Sequence, residues 1–176
     1  EQEYYIGRTV AATVLIKYRP QPDQNLNRYL NEMGQALAQF STRPETLGGY
    51  HFLLLDSDEI NAFAAPGGLI LVTRGLVQCC RNEDQLAAVL AHEIGHVEKM
   101  HGLRAIRSGR LNSALTVLAV EAGKNLGGAQ LAEITKAFDE SINDIAGTLM
   151  NSGYSRKLEY EADAAAVAIL KQAGYE

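Results

Sequence analysis

From Asn82 to Met100 the chain repeats apolar residues at helical spacing, Leu86, Val89, Leu90, Ile94 and Val97, and sets into that repeat the polar turn His92-Glu93-Ile94-Gly95-His96. Asn82, followed three residues later by Gln85, has the form of an N-terminal capping box, so the segment is predicted as one helix ending near Met100. Residues four apart share a helix face with Cβ atoms about 5 to 6 Å apart, so His92 and His96 can grip one ion. Glu93 is offset by about 100° around the helix, too far to complete the pair but placed to face a water on the same metal as a base. Half of the four histidines fall in this turn, and a polar surface in an otherwise apolar helix requires something that satisfies it. Zinc, one per chain, is the expected metal.

A catalytic zinc usually takes three protein ligands and leaves a fourth position to water. The best source of a third is the last predicted helix, where Glu159, Glu161 and Asp163 cluster. Glu159 and Asp163 are four apart on one face, as a ligand and a carboxylate supporting another ligand would be. Glu161 is best explained as an acidic residue meeting the helix dipole. His101 lies five residues after His96 and so points elsewhere on a continuous helix; a structural or surface role is expected of it. His51, at the start of a predicted strand, has no assigned role. Tyr154 and Arg156 are candidates for stabilising an oxyanion on proximity in sequence alone, which leaves the oxyanion stabiliser unknown.

Around this motif the chain reads as one domain without repeats or linkers. Ile6, Val10, Thr13, Val14 and Lys17 mark a helix over Glu3 to Tyr18, ended by the extended Pro20-Gln21-Pro22. Asp23 caps a second, with Leu26, Tyr29, Leu30, Met33, Leu37 and Phe40 on one side, stopping near Ser41. The apolar runs Phe52 to Leu55 and Leu69 to Val72 predict a small sheet. Gly102 to Asn151 carries helical patches at Leu111 to Glu121 and Leu131 to Leu149, and a last helix runs from Arg156 to Ala173 between a Ser155 cap and Gly174. A formal charge of -5 provides no broad cationic surface, which excludes nucleic acid as a partner. No apolar run approaches the roughly 20 residues of a membrane span, so no transmembrane segment is expected. Adjacent Cys79 and Cys80 imply neither a disulfide framework nor a cysteine metal cluster and are expected to be reduced and partly buried. The Glu-Gln-Glu-Tyr-Tyr start reads as a mature or trimmed terminus.

Three blocks, Asn61-Ala-Phe-Ala-Ala-Pro-Gly-Gly68, Asn82 to His96 and Ser155-Arg-Lys-Leu-Glu-Tyr-Glu-Ala-Asp163, resemble in order the signature blocks of metallopeptidase family 48, of the HtpX and CAAX prenyl protease type. The Tyr5-Ile-Gly-Arg8 start resembles its soluble bacterial branch. The resemblance implies an α+β, zincin-like (gluzincin) core, mostly helical, with a small sheet beside the metal-binding helix. It implies Glu159 as the third ligand in an E-x-x-x-D pattern, with Asp163 supporting a metal-bound histidine. It also implies that a polypeptide substrate pairs with an edge strand, for which Leu69 to Val72 is the candidate, making Gly68, Leu69, Ile70 and Leu71 the expected substrate-binding residues. The implied activity is zinc-dependent endopeptidase cleavage of unfolded or misfolded proteins, in the periplasm or cell envelope, with the cytoplasm as the alternative. Residues 1–176 then form a single catalytic domain, stopping soon after the third-ligand helix where relatives continue, so a C-terminally truncated piece is expected. The rival reading is a latent or chaperone-like polypeptide-binding module that retains the zinc site, with Gly102 to Asn151 as a lid.

Overall fold

Phe52-Leu53-Leu54-Leu55 shows no polar alternation because both faces of the sheet it joins are covered by helices. In a computed structural model, which describes residues 1–106 and 128–175, the chain is mostly helical around three short strands. In order these are α1 (Gln2–Lys17), α2 (Gln24–Ala38), β1 (His51–Leu55), β2 (Ala62–Ala65), β3 (Leu69–Thr73), α3 (Arg74–Cys79), α4 (Glu83–Glu98) and α5 (His101–Arg104). After the residues not described come α6 (Gly128–Gly147), which runs into a π-helical turn at Thr148–Ser152, and α7 (Arg156–Ala173). One face of the sheet, with Phe52, Leu54, Ala64, Ile70 and Val72, packs on Leu30, Met33 and Leu37 of α2, Leu90 and Ile94 of α4 and Ile169 of α7. The other face, with Leu55, Phe63, Ala65 and Leu71, packs on Ile6, Val10 and Val14 of α1 and on Ile142 and Ile145 of α6.

The strand order is β1-β3-β2, with β1 parallel and β2 antiparallel to β3. The expectation that Leu69 to Val72 forms an edge strand is therefore corrected: it is the central strand, and both its edges are paired. β1 and β2 are the edges, and they differ. Along β1, side-chain amides one turn apart on α2 take the place of a further strand. Asn27 Oδ1 accepts from Leu54 N–H at 2.9 Å, Asn31 Oδ1 accepts from Phe52 N–H at 2.9 Å, and Gln35 Nε2 donates to the Tyr50 carbonyl at 3.1 Å. Gln21 N–H adds a bond to the Leu54 carbonyl at 2.8 Å.

β2 has no such row of amides among the described residues, yet Phe63, Ala64 and Ala65 are buried and only Ala62 is partly exposed. Thr73 N–H donates to the Asn61 carbonyl at 3.0 Å, so by the alternation of an antiparallel ladder Ala62 and Ala64 turn their backbone groups away from β3. Asn61 Oδ1 takes the Ala62 N–H at 2.9 Å. Among the described residues, no backbone group bonds to the rest of that outer edge. β2 escapes sequence reading because Ala-Phe-Ala-Ala has weak strand preference and no alternation.

Helix ends follow local chemistry, with one correction at Ser155. Asp23 accepts from Asn25 and Leu26 N–H, and Asn82 accepts from Gln85 N–H at 3.0 Å while the Gln85 side chain accepts from Arg81 N–H at 2.8 Å. Ser155 occupies the cap position of α7, but its side chain makes no capping hydrogen bond; Gly174 ends α7 with φ at 88°. Cys79 is exposed rather than partly buried, because α3 turns it to solvent. The predicted stripe of α2 is narrower than expected: Leu30, Met33 and Leu37 are buried, and Leu26, Tyr29 and Phe40 are exposed. The predicted helical patch at Leu111 to Glu121 lies outside the described residues. Among those described, no helix is long and apolar enough to cross a membrane.

α1 is fastened to the β2–β3 turn by close backbone approach. A Cβ built at Gly7 would stand 1.7 Å from the Pro66 carbonyl oxygen. Arg43 also forks onto Glu3, whose Oε1 accepts from Gly67 N–H at 3.1 Å. Gly7→Ala, which in an open helix would gain up to about 1 kcal/mol, is expected here to cost about 3 kcal/mol or more in urea unfolding. Unchanged stability would show that α1 does not hold the turn this way.

Candidate metal centre

The site forms where α4 and α7 cross, and Gly95 sets how closely they do so. A Cβ there would lie 2.8 Å from the Ala162 carbonyl oxygen and 3.2 Å from Ala162 Cα. Contact at backbone distance brings the first turn of α7 against His92 and His96. One ligand atom each from His92, His96 and Glu159 lies within 4.8 Å of the others. Nε2 of His92 and Nε2 of His96 are 3.0 Å apart, and Glu159 Oε2 is 3.2 Å from the first and 3.7 Å from the second. Tetrahedral ligands at about 2.0 to 2.1 Å from a shared ion stand roughly 3.3 Å from one another, so this donor set fits a metal of zinc's size and preference.

The outer nitrogens of both rings are engaged. His92 Nδ1 lies 2.9 Å from Asp163 Oδ1. His96 Nδ1 lies 2.8 Å from His101 Nδ1, and His101 Nε2 lies 3.2 Å from Glu161 Oε2, to which Arg104 Nη1 donates at 2.5 Å. Burial first, then His92 and His101, push His96 down to about 3, so it is neutral and able to ligate. Burial likewise lowers His101, against an opposing hydrogen bond to Glu161. Arg104 first and His101 next hold the Glu161 carboxyl down at about 2.

Glu93 keeps part of its surface open to a groove of about 660 Å³ that also holds His92, His96, Glu159 and Asp163. The surrounding protein still excludes enough water to push its carboxyl up to about 7, with His92 opposing and Glu159 reinforcing the rise. A carboxyl poised near neutrality can take a proton and return it. One wall of the groove is apolar, with Leu76, Val89, Val167 and Leu170; another carries Ile60, Asn61 and Ala62 at the head of β2.

The sequence profile of peptidase family M48 matches residues 24–176. The chain belongs to this family. Within M48 it is 31% identical over 179 residues to the "Beta-barrel assembly-enhancing protease" of Escherichia coli O157:H7, which covers 99% of this chain and 34% of that protein. It is 37% identical over 116 residues to the "Mitochondrial metalloendopeptidase OMA1" of Schizosaccharomyces pombe, covering 66% of this chain and 31% of that one. With the "Metalloprotease LoiP" of Escherichia coli K12 it shares 29% over 116 residues, 66% of this chain and 42% of the relative. The chain thus spans between about a third and two fifths of the length of these relatives.

In this M48 chain the structure brings His92, Glu93, His96, Glu159 and Asp163 into one groove and leaves other expected residues outside it. Gly68, Leu69, Ile70 and Leu71 do not line it; Leu69, Ile70 and Leu71 border a separate cavity beneath α1 that also takes in His51. Arg156 is exposed and does not reach the groove. Tyr154 does line it, stacked on the His96 ring with centroids 4.4 Å apart and planes 21° apart. Its buried hydroxyl meets no hydrogen-bond partner among the described residues, and burial, then Glu93 and Glu159, raise it well above the ordinary tyrosine range. Sequence reasoning missed the joint role of His101, Glu161 and Arg104, since no local pattern links them.

Proposed function

We propose that this chain carries the catalytic machinery of a zinc-dependent endopeptidase of gluzincin type, acting on extended segments of unfolded or misfolded polypeptides. The observation that supports this most is the meeting of three ligand atoms and a carboxyl raised to about 7 in one groove that also reaches the head of β2 at Ala62. His92, His96 and Glu159 would hold the zinc, which when bound lowers the pKa of a water and polarises a carbonyl. Glu93 takes the proton from the attacking water and delivers it to the leaving amine. An extended substrate meets the head of β2, where the Ala62 carbonyl turns outward beside Asn61, rather than Leu69 to Val72, and a main-chain contact there asks little of its side-chain sequence. The apolar wall of Leu76, Val89, Val167 and Leu170 favours an apolar side chain beside the cleaved bond.

Similarity to proteases named for β-barrel assembly supports placing this activity in a bacterial periplasm or envelope. Residues 1–176 act as one catalytic domain on this reading. The test is metal content beside hydrolysis of casein, with chelator and zinc add-back. One zinc per chain is expected, with cleavage lost on chelation and regained with zinc. Zinc without cleavage would favour a latent or polypeptide-holding module, and no zinc after reconstitution would overturn the proposal.

A further inference from the structure

The two liganding histidines are supported in unequal ways. His92 meets a carboxylate directly, through Asp163, whereas His96 meets another histidine. His101 is fully buried, and its ring stands edge-on to that of His96, with centroids 4.9 Å apart. It reaches this place because the chain reverses at Met100, whose φ of 54° and ψ of 36° are left-handed. On a continuing helix His101 would lie about 140° round from His96. A non-glycine residue in this conformation costs about 1 to 2 kcal/mol, which the surrounding structure must offset.

The direction of every hydrogen bond in this chain of groups follows from its far end. Arg104 can only donate, and its guanidinium donates to Glu161 at 2.5 Å and at 3.3 Å. An ionised carboxylate can only accept, so the His101 Nε2 facing Glu161 carries a proton. A neutral imidazole that donates at Nε2 accepts at Nδ1. The His96 Nδ1, 2.8 Å away, must therefore be the donor of that pair. The Nε2 of His96 is left with its lone pair facing His92 Nε2 and Glu159 Oε2.

We propose that His101, oriented by Glu161 and Arg104, is a positioning residue that holds His96 in the tautomer able to bind metal through Nε2. This rests on His92, His96 and Glu159 forming the metal site. Loss of the acceptor at Glu161 would let the His101 proton move to Nδ1, where it would face the Nδ1 proton of His96. The consequence is a metal affinity that depends on a residue two shells of contact away from the ion.

The experiment is a zinc titration against a competing chelator, with the fold of each metal-free variant followed by circular dichroism. Glu161→Leu leads the series, since the side chain is 29% exposed and its removal opens no core cavity. It is expected to weaken zinc binding about tenfold, and His101→Leu by about 10- to 100-fold. Glu161→Gln and His101→Asn each keep an acceptor at the critical position and are expected to recover most of the affinity. In the zinc-loaded wild type, nitrogen-15 spectra should show His96 protonated at Nδ1. If Glu161→Leu folds and binds zinc within about twofold of wild type, His101 is only a packing residue and the proposal falls. A Gln or Asn variant no better than its Leu counterpart would overturn it equally, because acceptor chemistry would then be irrelevant. A wild-type chain that takes up no zinc would instead remove the metal site itself, and this inference with it.

Discussion

Glu93→Gln is expected to keep one zinc per chain and to lower casein hydrolysis by roughly 10²- to 10⁴-fold, the usual contribution of a positioned acid–base group. The amide keeps the shape of the side chain and cannot take the proton. Glu93 contributes none of the three clustered ligand atoms, so metal content should not follow the loss. Its raised carboxyl gives the change an additional effect. Burial, opposed by His92 and reinforced by Glu159, raises the wild-type carboxyl to about 7, whereas Gln carries no charge for these surroundings to act on. Parallel measurement of zinc and cleavage decides the matter. A Gln variant that cleaves at the parent rate would show that another group moves the proton, and one that has lost its zinc would show that Glu93 supports the ligands.

Gly95→Val is expected to disrupt the metal site without touching a ligand. The first added carbon already falls 2.8 Å from the Ala162 carbonyl oxygen and 3.2 Å from Ala165 Cβ, and the branches of Val leave no direction of escape. Since the obstacle is the backbone of α7, that helix must move away from α4, and Glu159 moves with it. Metal ligands tolerate displacements of only about 0.2 Å, so zinc affinity should fall by about 100-fold or more. Overpacking of this kind also costs roughly 1 to 3 kcal/mol of stability. Gly95→Ala should show the same losses in smaller measure, against the ordinary preference of helices for Ala over Gly. Chelator competition and urea unfolding on the three chains test this. A Val variant with parental zinc affinity would mean that the helices are not held at backbone contact.

The expectations from sequence succeeded where the deciding physics is local. Four residues of α-helix return a side chain to the same face, so the pairing of His92 with His96 and the offset of Glu93 follow from the pentapeptide alone. The caps at Asp23 and Asn82 are likewise set by side chains within three residues of the amides they satisfy. The acidic cluster of α7 was legible as a source of carboxylates for the histidine pair, since one helical turn separates Glu159 from Asp163. That α7 lies close enough to deliver Glu159 was not, because the approach depends on Gly95 meeting Ala162 across two helices.

Sheet order shows the same boundary. β1 and β3 are both apolar throughout because both faces are covered, and nothing in Leu69 to Val72 distinguishes a central strand from an edge. The distinction arises when the amides of Asn27, Asn31 and Gln35 close the outer side of β1 and when β2, too short and alanine-rich to be read, takes the other side of β3. The contact of His101 with His96 was not legible for a related reason: helical periodicity carries its side chain away from His96, and one left-handed residue at Met100 brings it back. The sequence by itself determined which groups are available for chemistry and their spacing along each helix, since these depend on bonds reaching a few residues. Only the tertiary structure decided which strand takes the centre of the sheet, which carboxylate meets the histidines and which nitrogen of His96 faces His92 and Glu159, since each depends on contacts between distant parts of the chain.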